Sequence, residues 1–242
     1  MFRCSLMRSL VGSSALPRSY GSWRGRVQTF ALVAMMLALA VALRASAAAA
    51  TDRPVRIVVF GDSLTAGLGL RADETFPAKL EQALRAKGLA VEVANAGVSG
   101  DTAASGLARL DWSVPEGTDA VIVELGANDM LRGIDPKVTR QALAQIVRRL
   151  AARHMAVLLA GMRAAPNLGS DYGRDFEAIY AELAARNDLL LYPFFLDGVA
   201  GEAELNQGDG LHPTAAGVAA IAARILPKVE ELVRRVRDKR VM

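Results

Sequence analysis

Hydrophobic residues in this chain gather into five short runs, Val55 to Phe60, Val91 to Ala94, Ala120 to Leu125, Ala156 to Ala160 and Leu189 to Tyr192, rich in Val, Ile and Leu. None alternates strictly with polar residues. A strand covered on both faces reads this way, because it has no solvent face to reserve for polar side chains. Between the runs, apolar positions recur at helical spacing: Phe76 to Lys87 closed by Gly88, Thr102 to Leu110, Pro136 to Arg153, Arg174 to Arg186 ending near Asn187, and Thr214 to Val236 after the last run. Strand and helix alternate five times, which predicts an α/β fold, a doubly wound parallel sheet of five strands with helices on both faces.

The punctuation agrees. Asp135-Pro136 reads as an N-cap followed by proline at the first helical position, and Gly88 as a helix stop. Met162 to Asp175, with a proline, an asparagine and two glycines, is the longest irregular segment after a strand, where open α/β sheets carry ligand contacts. No internal repeat or long linker divides the rest, so residues 51–242 are expected to form one domain.

Charge changes the picture only once it is divided along the chain. The net charge is +4, but Arg3, Arg8, Arg18, Arg24, Arg26 and Arg44 all precede the first acidic residue, Asp52, leaving 23 basic side chains against 25 acidic ones after residue 50. The basic balance therefore belongs to residues 1–50 and gives no reason to expect a nucleic-acid partner. Those residues have the parts of a secretory signal: Arg24 and Arg26, an apolar stretch from Phe30 to Leu43, then Ala45-Ser46-Ala47-Ala48-Ala49-Ala50. The expected outcome is cleavage near residues 47–51 and export to the periplasm. The alternative is an uncleaved anchor in the inner membrane, although the apolar stretch is shorter than the ~20 residues that span a bilayer. The sole cysteine, Cys4, lies in this leader, so no thiol chemistry or Cys-ligated metal is expected in the mature chain.

Candidate chemistry sits where the runs end. Ser63 follows the first run within Gly61-Asp62-Ser63-Leu64-Thr65, and Asp209-Gly210-Leu211-His212 lies near the other end of the chain. A serine hydroxyl needs a base to take its proton, and the base needs a third group to hold its ring. Asp209 and His212, three residues apart, can share one side of a turn, with the carboxylate on Nδ1 and Nε2 free for the serine. Alone, Ser63 reads equally well as a helix N-cap. Thr65 breaks the Gly-x-Ser-x-Gly elbow of α/β-hydrolases. Attack on an acyl carbon also needs donors for the developing oxyanion. Gly97, in Asn95-Ala96-Gly97-Val98-Ser99-Gly100-Asp101, has an unobstructed N–H, and Asn128, in Gly126-Ala127-Asn128-Asp129, has an amide NH₂. A turn glycine and an asparagine cap are the plainer readings of these two. His154, among Arg148, Arg149 and Arg153, reads as a helix-end residue.

These four segments, in this order, resemble the SGNH (GDSL-type) hydrolase family, over roughly Val55 to Leu232. The resemblance is closest to its bacterial periplasmic branch of acyl-CoA thioesterase I, lysophospholipase and arylesterase, with Ala165-Pro166-Asn167-Leu168-Gly169 and Tyr172 matching that branch's loop. It implies the three-layer, flavodoxin-like SGNH hydrolase fold. It also implies a serine esterase with Ser63 as nucleophile, His212 as base, Asp209 as its orienter, and an oxyanion hole of Ser63 N–H, Gly97 N–H and Asn128. The expected substrate is a small-molecule acyl ester or thioester, with Leu64, Met162, Leu168 and Tyr172 lining the acyl side, joined by Leu68 and Leu70.

No cofactor and no metal are expected: Gly67-Leu68-Gly69 lacks the third glycine of a dinucleotide loop, and two separated histidines make a poor ligand set. Two other functions stay in view. A carbohydrate O-deacetylase can use the same fold but needs polar sugar contacts, and a non-catalytic binding protein would lack a catalytic residue. The basic C-terminal run Arg234 to Arg240 reads as a solvated helix end, with transient lipid contact as the lesser reading. The sequence assigns no oligomeric state.

Overall fold

Val55–Gly61 (β1), Ala120–Glu124 (β3) and Ala156–Ala160 (β4) are buried almost without interruption, as their unbroken apolar character requires. Val91–Gly97 (β2) and the short Leu190–Tyr192 (β5) flank them. All neighbouring pairs are parallel, in the order β2-β1-β3-β4-β5. The chain moves outward from β1 to β2, then crosses back to β3 on the other side. That reversal makes a switch point between β1 and β3, the place at the carboxyl ends of the strands where open α/β sheets bind their ligands. The structure, a computed structural model, describes residues 35–36 and 53–241.

Seven helices cover the sheet among the described residues: Ser63–Ala66 (α1), Phe76–Ala86 (α2), Ala103–Ser113 (α3), Ala127–Leu131 (α4), Pro136–Ala152 (α5), Ser170–Arg186 (α6) and Ala215–Val241 (α7). Helix α2 packs with α7, and α5 packs with both α3 and α6, which gives the expected three layers. Buried aromatics anchor this packing. Phe76 of α2 meets Phe195 edge-on at 4.9 Å between ring centres, and Phe176 and Tyr180 of α6 make a similar edge contact at 5.8 Å. Helix α5 starts as the sequence predicts, with the Asp135 side chain accepting from Lys137 N–H and Pro136 leading the helix.

Several elements depart from expectation, among them α3, which runs three residues past Leu110, and α4, which was not expected. Strand β2 runs three residues past Ala94, through Asn95, because it is an edge strand paired only with β1 and need not be apolar on both faces. Helix α6 begins at Ser170, so Met162 to Asp175 is irregular only over its first half. The last helix extends to Val241.

The chain divides into residues 1–48 and residues 49–242. Of the first unit only Met35 and Met36 are described, as helical and exposed. The remainder of the expected leader, with its basic residues, its cleavage stretch and Cys4, lies outside the described residues.

Candidate active site

Ser63 opens α1 at the carboxyl end of β1, beside the switch point. The turn is fixed from its first residue: Asp62 caps the helix, its Oδ1 accepting from Leu64 N–H at 3.0 Å, and Gly67 closes it in the left-handed conformation at φ 79°. His212 arrives from the segment before α7. Its Nε2 lies 2.9 Å from Ser63 Oγ, and its Nδ1 lies 2.6 Å from Asp209 Oδ2. The other carboxylate oxygen, Oδ1, accepts from the backbone N–H groups of Leu211 at 2.9 Å and His212 at 3.0 Å. The His212 backbone N–H, then its ring and the Leu211 N–H, hold the Asp209 carboxyl well below the usual carboxylate range. Ser63, His212 and Asp209 thus form a continuous hydrogen-bonded line, with the ionised carboxylate favouring the tautomer that leaves Nε2 as an acceptor.

Several other residues hold these segments together. Gln207 Nε2 donates to Leu68 O at 2.8 Å and to Pro213 O at 3.0 Å, clamping the His212 segment to the one that follows Ser63. Arg109 is buried over the Phe60 ring, pairs with Asp101, and donates to Gly61 O at 2.8 Å and Ala96 O at 2.9 Å. It therefore ties the ends of β1 and β2 to the loop after β2. Asp129 accepts from Ala103 N–H at 2.8 Å and from the Thr139 hydroxyl at 2.9 Å, joining α4 to α3 and α5. Arg109, a charged residue within an apolar helical pattern, leaves no sequence signal for such a role.

The oxyanion donors need a correction. Gly97 N–H donates to Asn95 Oδ1 at 2.9 Å and is already spent. Gly97 is glycine for packing: a Cβ there would overlap the Ala66 backbone N and crowd Asp62 O. Gly100, three residues on at φ 85°, has an N–H with no partner among the described residues, as does Ser63. Asn128 Nδ2 donates to Asp101 O at 3.0 Å and Asp62 Oδ2 at 3.1 Å, which holds its amide group beside Asp62.

Two of the expected acyl contacts also change. Leu64 and Met162 are only 7% and 3% exposed and belong to the core. Leu168 and Tyr172 are half-buried, and the Tyr172 hydroxyl donates to Ile134 O at 3.0 Å. Leu70 is partly buried against the core. Leu68, Val98, Leu131 and Leu211 are exposed, one on each of the four segments that carry the site. His154 sits just before β4, at the opposite end of the sheet. No cluster of potential metal ligands occurs among the described residues.

An open parallel sheet with serine, histidine and aspartate in line at its switch point defines the class as a serine ester hydrolase. The chain belongs to the GDSL-like Lipase/Acylhydrolase family, whose pattern matches residues 59–220. Among curated proteins, it is 39% identical to Esterase TesA of Pseudomonas aeruginosa over 178 residues, covering 73% of this chain and 89% of that protein. It is 38% identical to Thioesterase 1/protease 1/lysophospholipase L1 of Escherichia coli strain K12 over 187 residues, 77% of this chain and 87% of that one. Among solved structures, the SGNH-hydrolase family esterase AlinE4 is 47% identical with a TM-score of 0.63, covering 74% of this chain and 96% of that one. The crystal structure of TesA aligns at 38% identity with a TM-score of 0.70, over 73% and 99% of the two chains.

Proposed function

We propose that this protein hydrolyses carboxylic esters and thioesters of aliphatic acids through an acyl-enzyme on Ser63. The observation that carries the proposal is the line from Asp209 through His212 to Ser63, at 2.6 and 2.9 Å. His212 Nε2 takes the hydroxyl proton as Ser63 Oγ attacks the acyl carbon, and Asp209 stabilises the imidazolium that forms. Charge then grows on the carbonyl oxygen. The free N–H groups of Ser63 and Gly100 are its proposed donors, each worth several kcal/mol in the barrier, and the Asn128 amide joins them only by giving up its bond to Asp101 O or to Asp62 Oδ2. His212 returns its proton to the departing alcohol or thiol, and water repeats the sequence on the acyl-enzyme.

The names of the relatives, esterase and thioesterase/protease/lysophospholipase, support an acyl substrate, and so do the exposed leucines and valine around the site. Leu168 and Tyr172 are the proposed acyl-side contacts. For localisation, the proposal is that residues 49–242 act outside the cytoplasm after removal of the leader, on the strength of the basic, apolar and small-residue pattern before residue 51.

Profiling residues 49–242 against p-nitrophenyl esters of increasing acyl length, beside acetylated sugars, tests the reading. Each buried methylene contributes up to ~0.8 kcal/mol, so kcat/KM climbs up to about fourfold per carbon until the groove is filled. Substituting Leu168 or Tyr172 by Ala flattens that profile. A preference for acetylated sugars over every longer acyl ester would point to the deacetylase instead.

A further inference from the structure

Glu124 ends β3, the middle strand of the sheet, and is fully buried in an otherwise apolar run. An acid in this position demands a reason, because a buried carboxyl group without compensation costs several kcal/mol. Its surroundings supply one. Across the β1–β3 ladder Glu124 is the register partner of Gly61, two residues before Ser63. Gly61 lacks the Cβ that would collide with Glu124 Oε2 and the Thr65 hydroxyl, and the space so left is where these two groups meet. The Thr65 hydroxyl donates to Glu124 Oε2 at 2.7 Å, and both residues are completely buried. Thr65 stands on α1, two residues after Ser63.

We propose that Glu124 is a positioning residue for the hydrolytic reaction, whose carboxyl group seats Thr65 and so fixes the turn that carries Ser63. The inference rests on the reading of Ser63 as nucleophile. Helix α1 has only four residues, too few to hold its own shape, so the aim of Ser63 at His212 depends on what fastens the turn. Asp62 fastens its start, through Leu64 and Asn128. Glu124 is the side chain that fastens its third residue, from within the sheet.

The surroundings of Glu124 favour the neutral acid, with burial outweighing the Thr65 hydroxyl and the Asp62 and Thr65 backbone N–H groups that favour the charge. Burial, reinforced by the nearby Asp62 carboxyl, pushes Glu124 well above the usual carboxylate range, and Oε1 has no hydrogen-bond partner to stabilise a charge. Asp62 is the titratable group that influences it, and Glu124 in turn acts on Tyr180, whose hydroxyl donates to Leu125 O at 3.0 Å. A glutamine of the same size can accept from Thr65 in the same way.

The test compares Glu124→Gln, Glu124→Leu, Thr65→Val and Thr65→Ser by kcat, KM, thermal melting and the rate at which a fluorophosphonate labels Ser63. Glu124→Gln and Thr65→Ser are expected to stay within about threefold of the parent in every rate. Glu124→Leu and Thr65→Val are expected to lose at least tenfold in kcat and in labelling rate with KM within twofold, and the double variant to lose no more than the worse single one. Should Glu124→Leu fail to fold, Thr65→Val and its serine counterpart carry the test alone. Parental kcat and labelling in Thr65→Val, or a Glu124→Gln as slow as Glu124→Leu, would overturn the proposal while leaving the nucleophile in place. A label found on a residue other than Ser63 would overturn both.

Discussion

Replacing Asp209 by asparagine separates the electrostatic role of this carboxylate from its architectural one. In the structure Oδ1 accepts two backbone N–H groups, from Leu211 and His212, while Oδ2 faces His212 Nδ1. An asparagine at this site must keep its oxygen on the two backbone donors, since its NH₂ would find no acceptor there. The NH₂ then faces Nδ1, which can only accept from it, and the ring proton moves to Nε2. That tautomer points a donor at Ser63 and leaves no base. The backbone turn survives, so stability changes little, but the chemical step loses both the proton acceptor and the charge that stabilises the imidazolium. Loss of the right tautomer costs about 10³–10⁴ in kcat, or about 4–5 kcal/mol in the barrier. The lower part of that range is expected here, because Asp209 is 44% exposed and water attenuates its charge. Steady-state hydrolysis of a p-nitrophenyl ester measures it, with KM expected to stay within a few fold. A variant retaining more than a tenth of parental kcat would refute the reasoning.

Two further perturbations probe the frame around the site. Burial lifts the Asp62 carboxyl to about 6, above its unfolded value, so Asp62 contributes stability below pH 4 that is lost as pH rises toward 6. Urea titrations across that window should show Asp62→Asn gaining on the parent by up to ~3 kcal/mol, the equivalent of about two pKa units, and a difference flat with pH would contradict the assignment. Gly97→Ala pushes a methyl group into the Ala66 backbone and should cost about 1–3 kcal/mol of stability, read as a fall in Tm, whereas unchanged melting would show that the strand end has room.

Most of the fold was legible because the sheet is buried on both faces. In β1, β3 and β4 the unbroken Val, Ile and Leu runs leave no alternative to interior strands, and the Asp-Pro and Gly punctuation marks the helices between them. Legibility fails where burial is one-sided or where polar groups bond locally. The end of β2 is polar because its outer edge has no partner, and the first turn of α6, Ser170 to Gly173, has the composition of a loop. At the site, residue type and spacing made Ser63, Asp209 and His212 candidates, and the resemblance to SGNH hydrolases supplied their roles. The donor glycine could not be read this way: Gly97 and Gly100 look alike in sequence, and what separates them is a bond from Gly97 N–H to the Asn95 side chain. Leu64 and Met162 were misread for a related reason, since apolar residues beside a site can face the core as readily as the substrate. Glu124 left no signal of function because it falls inside the apolar run Ala120 to Leu125, where residue type alone names no partner for a single acid.

The central claim is that catalysis passes through an acyl group carried by Ser63 Oγ. Rapid acid quenching of residues 49–242 during turnover of a p-nitrophenyl ester, followed by peptide mass spectrometry, tests it directly. The account predicts the substrate's acyl mass on the peptide containing Ser63, with both the adduct and nearly all activity lost in Ser63→Ala. Undiminished hydrolysis by Ser63→Ala, or an adduct on a different residue, would contradict it.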